Sequence, residues 1–344
     1  MPDGQSLPLP AQPPRLPSRV LVTGGAGFIG SAVVWALNQC GMERIVLTDR
    51  LGRDEKWRNL PSLRFDDYLE AEELLPLLEA GRLGDFDVVL HLGACSATTE
   101  PDASYLARNN FAYTKALAHW ALAREVRFVY ASSAATYGDG AAGMADTDDS
   151  PEALAPLRPL NAYGYSKHLF DLYAARAGML PQVVGLKYFN VFGPNEAHKG
   201  EMRSLVHKAH EQVCTSGRVR LFKSHRPDYR DGEQRRDFLY VKDAVAMTLH
   251  LAMTPTAAGL YNIGSGEARS WLELTGALFR AMEQPPQVDF IDMPETIRDT
   301  YQYHTQADIG KLRATGYTAP ITPLEDAVAD YVRGYLTPGR HLGD

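Results

Sequence analysis

In the segment NAYGYSKHLF, residues 161 to 170, Tyr163 stands four positions before Lys167. On a helix such a pair shares one face. A phenol ionises near pH 10 in water, so proton transfer at neutral pH asks for a shift of about three units, roughly 4 kcal/mol, and a neighbouring ammonium can supply much of it. The same lysine can reach a nicotinamide ribose. A Tyr-x-x-x-Lys pair alone is frequent by chance and is usually a surface pair, so its company decides its meaning. The stretch YASSAATYG puts Ser132 and Ser133 at the end of a strand, where open α/β sheets bind ligands and where a serine can hydrogen-bond a reacting oxygen.

A second constellation lies near the start. TGGAGFIGS spaces Gly24, Gly27 and Gly30 as G-x-x-G-x-x-G directly after a strand and at the opening of a helix. Glycines there permit a tight turn and let the backbone approach a pyrophosphate, which the helix N-terminus then holds. The pattern is weak alone, and Asp49 strengthens it: it ends a second strand 19 residues beyond Gly30, where an acid binds a ribose hydroxyl. Asp49 would repel a 2′-phosphate, whereas Arg50, with Arg53 and Lys56 nearby, could pair with one. The reading leans to NADP and leaves NAD possible. Glycine loop, serine and Tyr/Lys pair together describe a hydride-transfer site.

The elements that must position these residues follow from hydrophobic patterning. RVLVT, RIVLTD, DVVLHLGA, RFVYASS and PQVVGLKYF are strands apolar on both faces, and amphipathic helical stretches such as GSAVVWALNQCG separate them. That alternation predicts a Rossmann-type, doubly wound parallel α/β sheet with a smaller C-terminal substrate-binding lobe. Residues 1–18 read as a disordered proline-rich tail, and 19–190 as the NADP-binding domain, with 237–263 returning to it through DFLYVKDAVAMTLHLA and LYNIG. Residues 191–236 and 264–344 read as the substrate lobe.

Composition sets the outer limits. At 344 residues, 45% hydrophobic and 22% charged, the chain is an ordinary globular protein with a large core. A net charge of −7 without a basic block argues against nucleic acid and acidic membranes, so an anionic ligand needs a locally basic pocket. Cys40, Cys95 and Cys214 are odd in number and widely spaced, which fits a reducing cytoplasm better than a disulfide framework or zinc site. No apolar run of about 18 residues predicts a membrane span. His91, His198 and His207 lack two-ligand helical spacing, so no metal is expected.

Beyond these motifs, HLGACSATTE, ASSAATYG, AYGYSK, KYFNVFGPNEAHKGEM, RRDFLYVKD and TYQYHTQADIGKLRATGY closely resemble those of the extended short-chain dehydrogenase/reductase superfamily and, within it, the ADP-L-glycero-D-manno-heptose 6-epimerases. The resemblance covers about residues 19 to 335 and implies an NADP-dependent epimerase acting at C-6 of an ADP-heptose, through a transient 6-keto sugar. It also implies a homo-oligomer, pentameric in the family, serving lipopolysaccharide core biosynthesis. Carried over by position, Phe28, Ile29, Asp49, Arg50, Lys56, Leu92, Gly93, Ala94, Cys95, Ser96, Asn109, Lys167, Val191 and Lys199 match cofactor contacts. Tyr163 and Lys199 match the two acid/base residues and Ser133 their hydroxyl partner, while Asn190, Glu201, Lys208, Phe222, Arg236 and Tyr301 fall where the family meets the sugar nucleotide. Glu201 stands where serine is common and Lys208 where histidine is common, and the loop from Lys223 to Arg236 looks long. Those departures bear on the exact sugar.

A second acid/base group is also expected from the reaction's geometry. Inverting C-6 against a nicotinamide fixed on one side requires the keto sugar to present its opposite face, which moves its oxygen away from the tyrosine. Lys199 is the candidate, its pKa expected to be lowered by desolvation and by Arg236 and His198. Three other readings share parts of this pattern. A 4,6-dehydratase resembles STDEVYG at the strand end, but Ala134 and Ala135 here cannot transfer protons. A non-catalytic dinucleotide sensor commonly loses the tyrosine or lysine, and both are present; an epimerase or reductase for a related nucleotide sugar shares every motif.

Overall fold

The computed structural model describes residues 17–298 and 301–344. Twelve strands are found among them: β1 Val20–Thr23, β2 Ile45–Asp49, β3 Asp67–Glu70, β4 Val88–His91, β5 Arg127–Ser133, β6 Val183–Tyr188, β7 Asn190–Phe192, β8 Val219–Phe222, β9 Arg235–Tyr240, β10 Gly259–Ile263, β11 Ala268–Ser270 and β12 Val288–Ile291. Seven form one parallel sheet in the order β10-β6-β5-β4-β1-β2-β3. Alternate residues of each strand serve opposite faces. Val20, Val22, Ile45, Leu47, Val88 and Leu90 enter one buried cluster with the helix Phe28–Gln39, while Leu21, Val46, Val89 and Phe128 enter a second on the other face. Apolar runs without alternation are the consequence of covering both faces.

All the strands anticipated in the first half of the chain are present, and β10, the LYNIG segment, closes the sheet beside β6. β3 was not anticipated. Its sequence DYLE carries two acids and lies on the sheet's exposed edge, where one polar face costs nothing. The expected return of the DFLYV stretch to this sheet is corrected: β9 pairs with β7 and β11 in a separate three-stranded sheet. β10 already occupies the edge beside β6, so β9 finds its ladder on β7, which continues from β6 after Phe189. The helix that follows β9, Val241–Met253, does pack on Phe28–Gln39.

The remaining pair, β8 with β12, lies in the lobe built around the carboxyl ends of the main strands. Of the stretch read as a tail, residues 1–16 lie outside the described residues, and the backbone N–H of Ser18 donates to the Asp87 carboxylate. Among the described residues no helix is long and apolar enough to cross a membrane.

Candidate active site

The chain reverses direction across the sheet between β1 and β4, the switch point at which doubly wound sheets open a crevice. Here the carboxyl ends of β1, β2, β4, β5 and β6 border a cavity of about 940 Å³ that continues into the lobe. Of the candidate cofactor, substrate and acid/base residues, all line it except Arg50, Arg53, Asn109 and Arg236.

One end is the glycine loop. Gly24 has φ +69°, and a Cβ there would fall 2.6 Å from the Gly93 backbone; one on Gly30 would lie 2.0 Å from the Gly24 carbonyl oxygen. Only glycine permits the loop to fold this tightly against the turn after β4. Gly27 caps the helix Phe28–Gln39 without any side-chain hydrogen bond, so its first N–H groups and the positive end of its dipole open to the cavity. A cradle a side chain would fill, at an uncapped helix N-terminus, fits the pyrophosphate of a nicotinamide dinucleotide.

At the adenosine side, Asp49 accepts from the Ala26 N–H at 3.0 Å, the Arg50 N–H at 2.7 Å and Lys56 Nζ at 3.2 Å. The Arg50 guanidinium turns elsewhere. It pairs with Glu72 and donates to Asn109 Oδ1 at 2.9 Å, and this group stands at the rim.

At the reacting end, Asn161 caps the helix Ala162–Arg176 by accepting the Gly164 N–H at 2.8 Å, which fixes the phase of Tyr163 and Lys167. Ser133, the last residue of β5, hydrogen-bonds the Tyr163 phenol. Burial pushes that phenol above its ordinary value and the serine pulls it partly back. The expected lowering by Lys167 is corrected: the ammonium donates to the Ala131 carbonyl at 2.9 Å, and burial lowers its own pKa to about 8.

Several residues that hold this arrangement carried no sequence signal. Buried Asn110 sits in a π-helical turn, accepts the Cys95 N–H and donates to both the Cys95 carbonyl and Ser166 Oγ, each at 2.9 Å. Ser166 in turn donates to the Tyr163 carbonyl at 2.7 Å. His91 is spoken for on both ring nitrogens, Nδ1 at 2.6 Å from Thr23 Oγ1 and Nε2 at 2.8 Å from Thr114 Oγ1. Because Thr114 donates to the Asn110 carbonyl, His91 carries its proton on Nε2, and burial lowers its pKa to about 3.

The lobe supplies the opposite wall. Half-buried Lys199 sits with Nζ 5.1 Å from the centre of the Phe28 ring, and its pKa is lowered first by burial and further by Lys208, against the pull of Glu196. The expected contributions of Arg236 and His198 are corrected: His198 is itself lowered to about 4 by burial and by Lys56, so it is neutral at pH 7 and brings no charge. Lys208 Nζ donates to the Glu201 carbonyl at 3.1 Å, and Asn190 Oδ1 accepts from Thr305. Buried Arg236 lies behind the wall, its guanidinium 5.0 Å from the Tyr301 ring centre and 5.8 Å from that of Trp271, whose Nε1 donates to Tyr301 at 2.9 Å. Trp271, Arg203 and Arg220 line the cavity and were missed. For Arg220 a signal existed: in β8 it alternates outward between the buried Val219 and Leu221.

Uncapped anion site, hydrogen-bonded serine and tyrosine, buried lysine and a cationic lobe can together hold a dinucleotide and a phosphorylated sugar and move protons between them. The model of the NAD dependent epimerase/dehydratase family matches residues 20–264. The chain is 50% identical over 317 residues to an ADP-L-glycero-D-manno-heptose-6-epimerase of Nitratidesulfovibrio vulgaris, covering 92% of this chain and 97% of that one. It is 46% identical over 325 residues to the same enzyme of Fusobacterium nucleatum, at 92% and 98% coverage. The crystal structure of the Helicobacter pylori ADP-L-glycero-D-manno-heptose-6-epimerase superposes with a TM-score of 0.75 at 28% identity, covering 92% of this chain and 96% of that one. A UDP-glucuronic acid 4-epimerase of Bacillus cereus, solved with UDP-glucuronic acid and NAD, gives 0.74 at 25% identity, at 92% and 99% coverage. The chain belongs to the NAD dependent epimerase/dehydratase family and, within it, to the ADP-L-glycero-D-manno-heptose-6-epimerases.

Proposed function

We propose that the chain inverts C-6 of ADP-D-glycero-D-manno-heptose to give ADP-L-glycero-D-manno-heptose through a 6-keto sugar, without net redox change. One observation supports the reading: Tyr163 and Lys199, two side chains able to exchange protons, border the same cavity into which the uncapped glycine loop opens. A single group suits an oxidation or reduction at one face; inversion needs a second where the oxygen arrives after the sugar turns. The bound nicotinamide dinucleotide supplies a reversible hydride acceptor. NADP is our assignment, supported by Lys56, which offsets the Asp49 charge a 2′-phosphate would otherwise meet.

The chain's own residues divide the rest. Tyr163 exchanges the proton of the sugar oxygen in one orientation, with Ser133 directing that oxygen and the phenol together. Lys167, one turn on and held by the Ala131 carbonyl, is placed to meet the ribose. Lys199 exchanges the proton in the other orientation, and its lowered pKa suits a group that must give and take one near neutral pH. Arg236, behind Tyr301 and Trp271, and Arg220 set a positive field for the diphosphate.

Incubating purified protein with ADP-D-glycero-D-manno-heptose, with no cofactor added, and following the C-6 configuration by NMR tests this. Approach to a mixture of both epimers is expected. No conversion until NADP is added, with one NADP reduced for each sugar oxidised, would replace epimerase with dehydrogenase.

A further inference from the structure

Beneath the reacting groups lies a fully buried ion pair that the proposed chemistry does not use. Lys187 Nζ, from β6, is 3.2 Å from Asp171 Oδ2, and the two side chains are 1% and 0% exposed. Tyr130 donates to Asp171 Oδ1 at 2.9 Å and Ser132 to Oδ2 at 2.7 Å, while Lys187 donates to Thr136 at 2.7 Å and lies 4.4 Å from the Tyr137 ring centre. Taking two charges out of water is expensive, and apolar replacements of such pairs are often as stable, so a well-bonded buried pair calls for a purpose other than stability.

Position supplies one. Asp171 follows Lys167 by one helical turn, so the carboxylate shares the face that bears the ammonium. Its other end grips Ser132, whose neighbour Ser133 meets Tyr163. We propose that Asp171 is a positioning residue for the reaction: held by Lys187, it supplies the counter-charge for the Lys167 ammonium and anchors the end of β5 that presents Ser133. This rests on the reading of Tyr163, Ser133 and Lys167 as the reacting set.

The charges around Lys167 favour that role. On its own helix face stand Tyr163, neutral at pH 7, and Asp171; the turn after β4 brings the Cys95 side chain and β4 the neutral His91, while Tyr130 of β5 and Lys187 of β6 are held on Asp171. Asp171 is thus the anion of the group. It raises the Lys167 pKa against the burial that lowers it.

The experiment compares the full-length enzyme with Asp171→Asn, with the pair-deleting Asp171→Asn/Lys187→Met, and with Tyr163→Phe, recording kcat against pH from the acid to the alkaline limit. Without the counter-charge Lys167 loses its proton at lower pH, so the alkaline limb in Asp171→Asn should move down by about half a unit to one unit, with kcat falling about tenfold at pH 8; the double variant, which removes a cation with the anion, should move the limb less but lose kcat with the Ser132 anchor. A folded Asp171→Asn enzyme with the parent's limb, or a folded double variant with kcat within about twofold of the parent, overturns the proposal. A double variant that does not fold assigns the pair to the fold and overturns it equally. Near-normal turnover by Tyr163→Phe would instead sink the underlying site reading, which separates that failure from this one.

Discussion

Lys56 Nζ lies 3.2 Å from Asp49 Oδ1, at the end of the second strand where a dinucleotide's adenosine ribose would rest. With two backbone N–H groups also bonded to it, the Asp49 carboxylate has its charge offset before any phosphate arrives. Arg50, the residue that sequence offered as the 2′-phosphate partner, is drawn to Glu72 at the rim. Lys56→Met should therefore weaken NADP about ten- to a hundredfold, the range of a partly buried contact to a charged group, and weaken NAD much less. Arg50→Ala should cost under about fivefold, and Glu72→Gln should tighten NADP by a similar factor by freeing the guanidinium. Fluorescence titration of the cofactor-free protein with both dinucleotides measures this; a larger loss from Arg50→Ala than from Lys56→Met would reverse the assignment.

Gly164 decides how near Tyr163 comes to Ser133. A Cβ on it would stand 2.8 Å from the Ala135 carbonyl oxygen and 3.2 Å from Pro159 Cβ, so the helix can approach the turn after β5 only with glycine in that place. Gly164→Ala should push the helix outward, destabilise the fold by about 1 to 3 kcal/mol as overpacking does, and lower kcat more than cofactor affinity. Parallel measurement of Tm, kcat and NADP Kd checks it. An unchanged kcat would mean that the Ser133–Tyr163 contact tolerates displacement.

What could be read in advance and what could not divide along physical lines. The sheet was legible because VLVT, IVLTD and VVLH are buried on both faces, and burial writes itself into composition. The glycine loop, Tyr163, Lys167 and Ser133 were legible because each needs a particular residue type at a short spacing. Partnerships across long separations were not: nothing local pairs Arg50 with Glu72, or Asp171 with Lys187, and the strand DYLE has no apolar face to announce it. Lys199 was singled out by the role the reaction asks for, yet the cation that lowers its pKa, after burial, is Lys208 on the following helix, and the neighbouring His198 is silenced by burial.

Lys167 gives the cofactor site a pH dependence whose sign can be worked out. Burial depresses its pKa to about 8, so the ammonium is present below that pH and is lost as pH rises through it. If the charged form meets the ribose, NADP binding to the cofactor-free protein should hold steady from pH 6 to about 7.5 and weaken above about 8, with proton uptake on binding in the upper range. Calorimetry in buffers of different ionisation enthalpy reads both quantities. Affinity that is flat to pH 9.5 would exclude the Lys167 ammonium from the cofactor contact.

Lys199 is the harder residue to assign, because the same position could serve acid/base exchange or neutralise the ADP diphosphate. The two roles make different demands. A diphosphate counter-ion should keep its charge at all working pH and stand in a solvated, anion-facing place; Lys199 instead lies over the Phe28 ring, with burial and Lys208 both lowering its pKa. Arg220 and Arg203 line the cavity and leave the lobe other cations for the diphosphate. Methionine fills the volume of the lysine stem and keeps the contact with Phe28 while removing the proton carrier. Lys199→Met should accordingly lower kcat by about 10² to 10⁴ while leaving the Kd for ADP-heptose within about threefold, the pattern of an interaction used in the transition state rather than in binding. Arg220→Met should show the reverse, a raised KM with kcat nearly kept, because a field that holds the diphosphate acts on ground and transition states alike. Binding measured by calorimetry with the nucleotide sugar, beside steady-state rates for both variants, distinguishes them. A Lys199→Met enzyme with parental kcat and a raised KM would return Lys199 to the diphosphate and leave Tyr163 as the one acid/base group of the cavity.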